Sequence, residues 1–200
     1  MKTIIIMLFL LQFPVFSQND EQVVEKLNYY ADSVENLIKN TTGAPGEIYT
    51  VTVNTMRNLR AIGMQQTKIT FFFSQKEDSV YESGNNTFYL PVYSNPLLVA
   101  IEYNIAASQS VVVYYYLDGK NYLYRFISSG GYGYTNRAFW FKDEEILQFK
   151  EKSSVIGNKE TIQTERFSKE VYSDGILVLD NLKQYLELYF NILEIENKDK

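Results

Sequence analysis

Carboxylate pairs remain a route to acid–base catalysis in this chain, although none of its 200 residues is histidine or cysteine. That excludes Ser-His-Asp and Cys-His nucleophilic catalysis, the H-E-x-x-H zinc motif and thiol redox chemistry. No Ser is followed three residues later by Lys, Gly119-Lys120 lacks the rest of a phosphate-binding loop, and no acidic calcium-loop motif occurs. Two carboxylates at a fixed separation suffice for glycoside hydrolysis, so a carboxylate-dependent, glycan-acting hydrolase stands as a rival reading. Its best candidate is Glu102, inside the apolar run Leu97 to Ile105. Alternation places it with Leu98, Ala100 and Asn104 on the less apolar side, where a solvent-facing carboxylate belongs. Asp143, Glu144 and Glu145 fall where a hairpin turn is expected. Arg125 is a candidate anchor for an anion, or a strand arginine whose stem packs on neighbouring rings. No cofactor and no metal site is expected.

Aromatic residues are the compositional excess, with 17 Tyr, 13 Phe and one Trp. Tyr132 and Tyr134 lie in the glycine-rich stretch Gly130 to Thr135, and Arg137 and Trp140 follow closely. Glycine between rigid rings combines adaptability with contact area, and Tyr, Trp and Arg are enriched at interface hot spots. These four residues are the expected ligand- or partner-binding set. The competing account lays the tyrosines flat on a sheet and puts Trp140 in the core. Tyr114, Tyr115 and Tyr116 place rings on both faces of one strand, so either helices cover both faces or one face is a tyrosine-lined surface.

The elements that must position these residues are legible as periodicities. Asn19 to Lys39 carries Val23, Leu27, Tyr30, Val34 and Leu37 at helical spacing, and Gly43, Pro45 and Gly46 end it. Ile176 to Leu193 carries Leu179, Leu182, Leu186, Tyr189 and Leu193 in the same way, although Ile176 to Leu179 also suits a strand end. Between them the chain reads as strands, with Ile69, Phe71 and Phe73 on one face and Phe88 to Tyr93 an edge strand or loop because of Pro91. Val111 to Ile127 reads as a hairpin with a type I′ turn at Asp118-Gly119, pairing Tyr115 with Tyr122 and setting Arg125 opposite Val112. A second hairpin turns at Asp143-Glu144 and sets Phe141 opposite Ile146 and Trp140 opposite Leu147. The fold expected is α+β: an antiparallel, meander-rich sheet of five to seven strands, flanked by an N-terminal and a C-terminal helix.

Met1 to Ser17 has the grammar of a signal peptide: Lys2, the apolar run Thr3 to Leu11, Pro14 and a small residue at Ser17. Cleavage there leaves one domain, 18–200, in the periplasm or outside the cell. The formal charge of −5 argues against nucleic acid as a partner, and no later run is apolar enough for a membrane-spanning helix. The motifs Y-Y-Y-L-D-G-K-N-Y-L-Y-R-F (Tyr114 to Phe126) and R-A-F-W-F-K-D-E-E-I-L-Q-F (Arg137 to Phe149), behind a leader and one helix, resemble those of uncharacterised small exported proteins of Bacteroidetes-type bacteria. The resemblance implies an export-then-fold α+β module and brings no active site with it. The leading functional reading is an exported, non-enzymatic module that binds a protein partner or small ligand. A structural subunit of an envelope assembly is a further alternative.

Overall fold

The computed structural model describes residues 18–40, 48–59, 63–83, 86–105, 109–130, 133–154, 159–164 and 166–198. The leader and Tyr132 lie outside these residues. Helix α1 (Gln18–Asn40) is followed by β1 (Tyr49–Leu59), β2 (Gly63–Phe73), β3 (Gln75–Ser83), β4 (Asn86–Tyr93) and β5 (Leu98–Ile105). Then come β6 (Gln109–Asp118), β7 (Asn121–Gly130), β8 (Gly133–Lys142), β9 (Glu145–Ser153), β10 (Lys159–Gln163) and α2 (Lys169–Lys198). Eight strands form one antiparallel sheet in the order β1-β2-β5-β6-β7-β8-β9-β10, and β3 with β4 forms a separate hairpin inserted between β2 and β5. The class is the α+β meander expected, with one strand more in the main sheet than the upper limit of seven. The surplus comes from a polar strand. β10 (KETIQ) at the sheet edge carries no alternating apolar face, because an edge strand need not fill a core.

Each helix covers one face. On the first, Phe71, Val99, Ile101, Tyr115, Phe139 and Phe141 meet Val178, Leu179, Leu182, Tyr189 and Leu193 of α2. On the second, Leu98, Tyr116, Leu123, Ala138, Trp140 and Leu147 meet Val24, Leu27, Ala31 and Val34 of α1. Burying such side chains stabilises by about 1.5–3 kcal/mol each before entropy is charged against it. Both faces around the Tyr114–Tyr116 run are therefore covered: Tyr115 retains 3% of its exposure and Tyr116 1%.

Ser168 caps α2, its Oγ accepting from Val171 N at 3.3 Å. The helix thus starts well before Ile176 and settles that segment as helical. At Gly175 α2 packs tightly on the sheet: a Cβ there would clash with Ile146 Cδ1 and lie 3.1 Å from Ile146 Cγ1 and 3.5 Å from Phe139 Cε1.

Two hairpins differ from expectation in register. Asp118 pairs with Asn121, so Leu117 faces Tyr122, Tyr115 faces Tyr124 and Arg125 faces Tyr114. The central turn residues are Gly119 and Lys120, and Gly119 (φ +65°) is the one position of that turn with positive φ. That is the signature of type II′, which wants glycine first, and not of I′. In the second hairpin Asp143 (φ 48°) and Glu144 (φ 69°) do form an I′-like turn. Phe141 faces Ile146 as expected, but a bulge inserts one residue and Trp140 faces Gln148. Leu147 joins the α1-side core.

Candidate functional site

Of the four residues singled out in the sequence, Tyr132 lies outside the described residues, and alternation parts Arg137 from Tyr134 and Trp140. Arg137 points to the α2 face, where its Nε lies 2.6 Å from Glu151 Oε2 and its Nη1 3.6 Å from Asp174 Oδ2. Trp140 points to the α1 face, is 6% exposed, and donates its indole N–H to Asn28 Oδ1 at 3.1 Å. Tyr134 shares that face but sits six residues away, about 20 Å along the strand. The segment Gly130 to Thr135 is mostly strand: Gly130 pairs with Gly133 and Ser129 with Tyr134. Tyr134 N donates to Ser154 Oγ at 2.8 Å, so the tyrosine is held in β8 and not on a loop tip. Glu102 stands opposite Lys68 across β2 and β5, with Oε1 3.0 Å from Lys68 Nζ and both side chains nearly half exposed. It is the solvent-facing carboxylate that alternation implies.

What the structure does assemble is a groove of about 600 Å³ on the α1 face. It opens because α1 runs diagonally. Its first turn is tied to the β8–β9 end of the sheet by Asp20–Lys142 (3.2 Å), and its middle to the β6–β7 turn by Lys26–Asp118 (2.7 Å) and Tyr30 OH to Leu117 O (2.8 Å). Its last turns reach β6 and β7 through Glu35, whose Oε1 accepts from Tyr116 OH (2.6 Å) and Arg125 Nη1 (3.2 Å). The outer halves of β8, β9 and β10 stay uncovered.

Two cross-strand rungs build the groove. Arg125, Ala138, Lys150 and Ile162 form one, and Ile127, Asn136, Lys152 and Glu160 the other. Ala138 keeps the floor low between two long cations, and Trp140 closes the end nearest α1. Arg125 lies 5.2 Å over the Tyr116 ring, which fixes its plane by cation–π attraction. Burial, and then the hydrogen bond to Glu35, push the Tyr116 hydroxyl well above the usual tyrosine range, so it stays a donor. Lys150 Nζ bonds Glu160 Oε1 at 2.6 Å and holds that carboxyl below its ordinary value. A general acid needs the opposite shift. The groove therefore offers cationic donors, an amide at Asn136 and an apolar floor, which recognise a carboxylate or phosphate and do not turn it over.

A smaller cavity of about 180 Å³ lies on the other face, between Tyr124, Arg137 and Phe139 of the sheet and Asp174 and Asn181 of α2. Here Arg137 is already shared by two carboxylates. Nearby, Tyr103 and Tyr185 join hydroxyls at 3.0 Å, and burial raises Tyr124 to about 12.

Arg125 was visible in the sequence as a possible anion anchor. Lys150, Lys152 and Asn136 were not singled out, although Lys150-x-Lys152 in an alternating strand puts both ammonium groups on one face. Among the described residues no group of His, Cys, Asp and Glu is arranged to hold a metal ion, and no helix is long and apolar enough to cross a membrane. Comparison with protein-family models, curated proteins and solved structures returned no match for this chain.

Proposed function

We propose that the protein is an exported, non-enzymatic binding module that captures an acidic segment of a partner protein in the groove between α1 and β10. The observation that carries this is the pair of cross-strand rungs that brings Arg125, Lys150 and Lys152 around the Ala138–Trp140 floor. Arg125, Lys150 and Lys152 face Glu35 and Glu160, with which Arg125 and Lys150 are paired, and the one positive charge left in excess on this patch of a chain with net charge −5 would steer and hold an anionic group. The leader, and the resemblance of the two hairpin motifs to small exported proteins of Bacteroidetes-type bacteria, support a periplasmic or secreted setting after cleavage near Ser17. The hydrolase reading draws no support from the candidate carboxylates, since Glu102 is paired with Lys68, Asp143 with Lys120 and Glu144 with Lys183, and Glu145 is exposed in the same hairpin.

Trp140 is the chain's one indole and reports on the groove directly. Titrating the mature protein with a hexaglutamate peptide should change its fluorescence, and added salt should weaken the response. Lys150→Gln with Lys152→Gln, which removes both charges without setting a carboxylate against Glu160, should weaken binding at least tenfold with little change in melting temperature. No response to hexaglutamate, an equal response to hexalysine, or tighter capture of single-stranded DNA would each overturn the proposal.

A further inference from the structure

The two edges of the eight-stranded sheet are built differently. β10 is five residues long and carries Lys159 and Glu160, the charged, short form by which edges avoid unwanted pairing. β1 is eleven residues long, pairs with β2 at eleven consecutive positions without a shift, and contains no proline, lysine or carboxylate. Its single charge is Arg57. Among the described residues no strand occupies its outer edge. Such a strand offers about 37 Å of straight, uncharged hydrogen-bonding edge.

We propose that β1 is a self-association edge, and that two copies join by antiparallel β1–β1 pairing about a two-fold axis at Asn54. The chemistry of the strand selects a second copy over a foreign strand and antiparallel over parallel. Antiparallel self-pairing uses the same surface twice and closes at two subunits. The short, charged β10 edge at the far side of each sheet does not extend it into a fibre. With the axis at Asn54, Val53 meets the partner's Thr55, a β-branched pair, and Thr52 meets the partner's Met56. Met56 is 64% exposed in one copy alone and gains cover. Arg57 meets the partner's Val51 and stands about 20 Å from the partner's Arg57, whereas parallel pairing would set the two arginines side by side. A foreign strand would find no charge on β1 apart from Arg57 by which to be chosen. This association is independent of the groove, which opens over β7 to β10.

The absence of cysteine makes the test clean. The full mature chain at about 10 μM should have twice the monomer mass by light scattering. Asn54→Glu, at an exposed position facing Lys68 across β2, should leave the melting curve cooperative but set like charges opposite each other at the axis and give monomer. Asn54→Cys should cross-link to a disulfide dimer on mild oxidation, since opposed strand positions lie within disulfide reach, and Ile162→Cys on β10 should not. A wild-type chain that is monomeric at every concentration overturns the proposal. So does a dimer that survives Asn54→Glu, or one in which Ile162→Cys cross-links as fast as Asn54→Cys.

Discussion

On its α2 side the sheet presents a continuous aromatic layer. Phe139 stacks within 6 Å of Phe141, Phe149 and Tyr124, and Tyr115 bridges Tyr124 to Tyr185. The hydroxyls close on partners within the fold, Tyr103 on Tyr185 and Tyr189 on Ser94 O. On its α1 side the apolar contact is narrower, and polar point contacts fix the helix: Asp20–Lys142, Lys26–Asp118, Tyr30–Leu117 O, Asn28–Trp140 and Glu35–Tyr116. One face is a core that happens to contain tyrosines. The other is a docked helix with charged ground beside it. Rings packed on one side leave only a small cavity beside Arg137, whereas a helix held at points leaves a larger groove over the neighbouring strands. The lesson is that aromatic excess marked where this protein is stable, and the alternating cations marked where it is open.

The largest effect should separate the faces by truncation. Phe139→Ala should cost about 3–5 kcal/mol in denaturant melts, the usual range for a buried ring. Asn28→Ala, which leaves the indole N–H of Trp140 without its acceptor, should cost about 1–3 kcal/mol. Equal costs would erase the distinction between a packed face and a tethered one.

Alkali should come next. Burial raises Tyr124 on the α2 side and Tyr30 on the α1 side to about 12, with Asp118 adding to the shift of Tyr30. Below about pH 10 these tyrosines are protonated in both the folded and the unfolded chain, and their contribution to stability is complete. From pH 10 to 12 the unfolded chain releases protons that the folded chain retains, so stability falls as pH rises. Tyr124 alone should account for a loss on the order of 2 kcal/mol by pH 12. Urea midpoints against pH, read beside tyrosinate absorbance, check this; a midpoint flat to pH 12 would mean the rings are wet.

The smallest effect concerns the turn that receives the α1 tethers. A Cβ on Gly119 would touch nothing within 4 Å, so Gly119→Val isolates the cost of φ +65° for a β-branched residue, about 1–2 kcal/mol. No change in melting temperature would move the turn elsewhere.

Much of this fold was legible in the sequence because half-buried strands alternate. Ile69, Phe71 and Phe73 fall on one face as expected, as do Val99 and Ile101. The β6–β7 register was read two positions out, since pairing Tyr115 with Tyr122 or with Tyr124 keeps the same rings on the same face. Burial cannot separate those registers; the φ of one glycine can. The bulge beside Leu147 was hidden for a related reason: Ile146 and Leu147 take opposite faces with or without it, and only beyond it does the extra residue turn Phe149 to the α2 side opposite Phe139. β10 was invisible because it buries little, and with it went Glu160, the carboxylate of the groove. Trp140 and Arg137 were read as neighbours from their spacing of three, which in a strand places them on opposite sides of the sheet.

The tethers of α1 also set an order of events. Asn28 finds its partner 112 positions later, and Asp20 finds its partner 122 positions later. In a chain delivered N-terminus first, the earliest helix to emerge meets β6 and β7 before its remaining partners, and its surface is complete only when β8 and β9 have followed. Native contacts at such separations form slowly, because a long loop must close before they are rewarded. Docking of α1 is therefore completed late, after most of the chain has been delivered, although the hairpins it docks on are local in sequence.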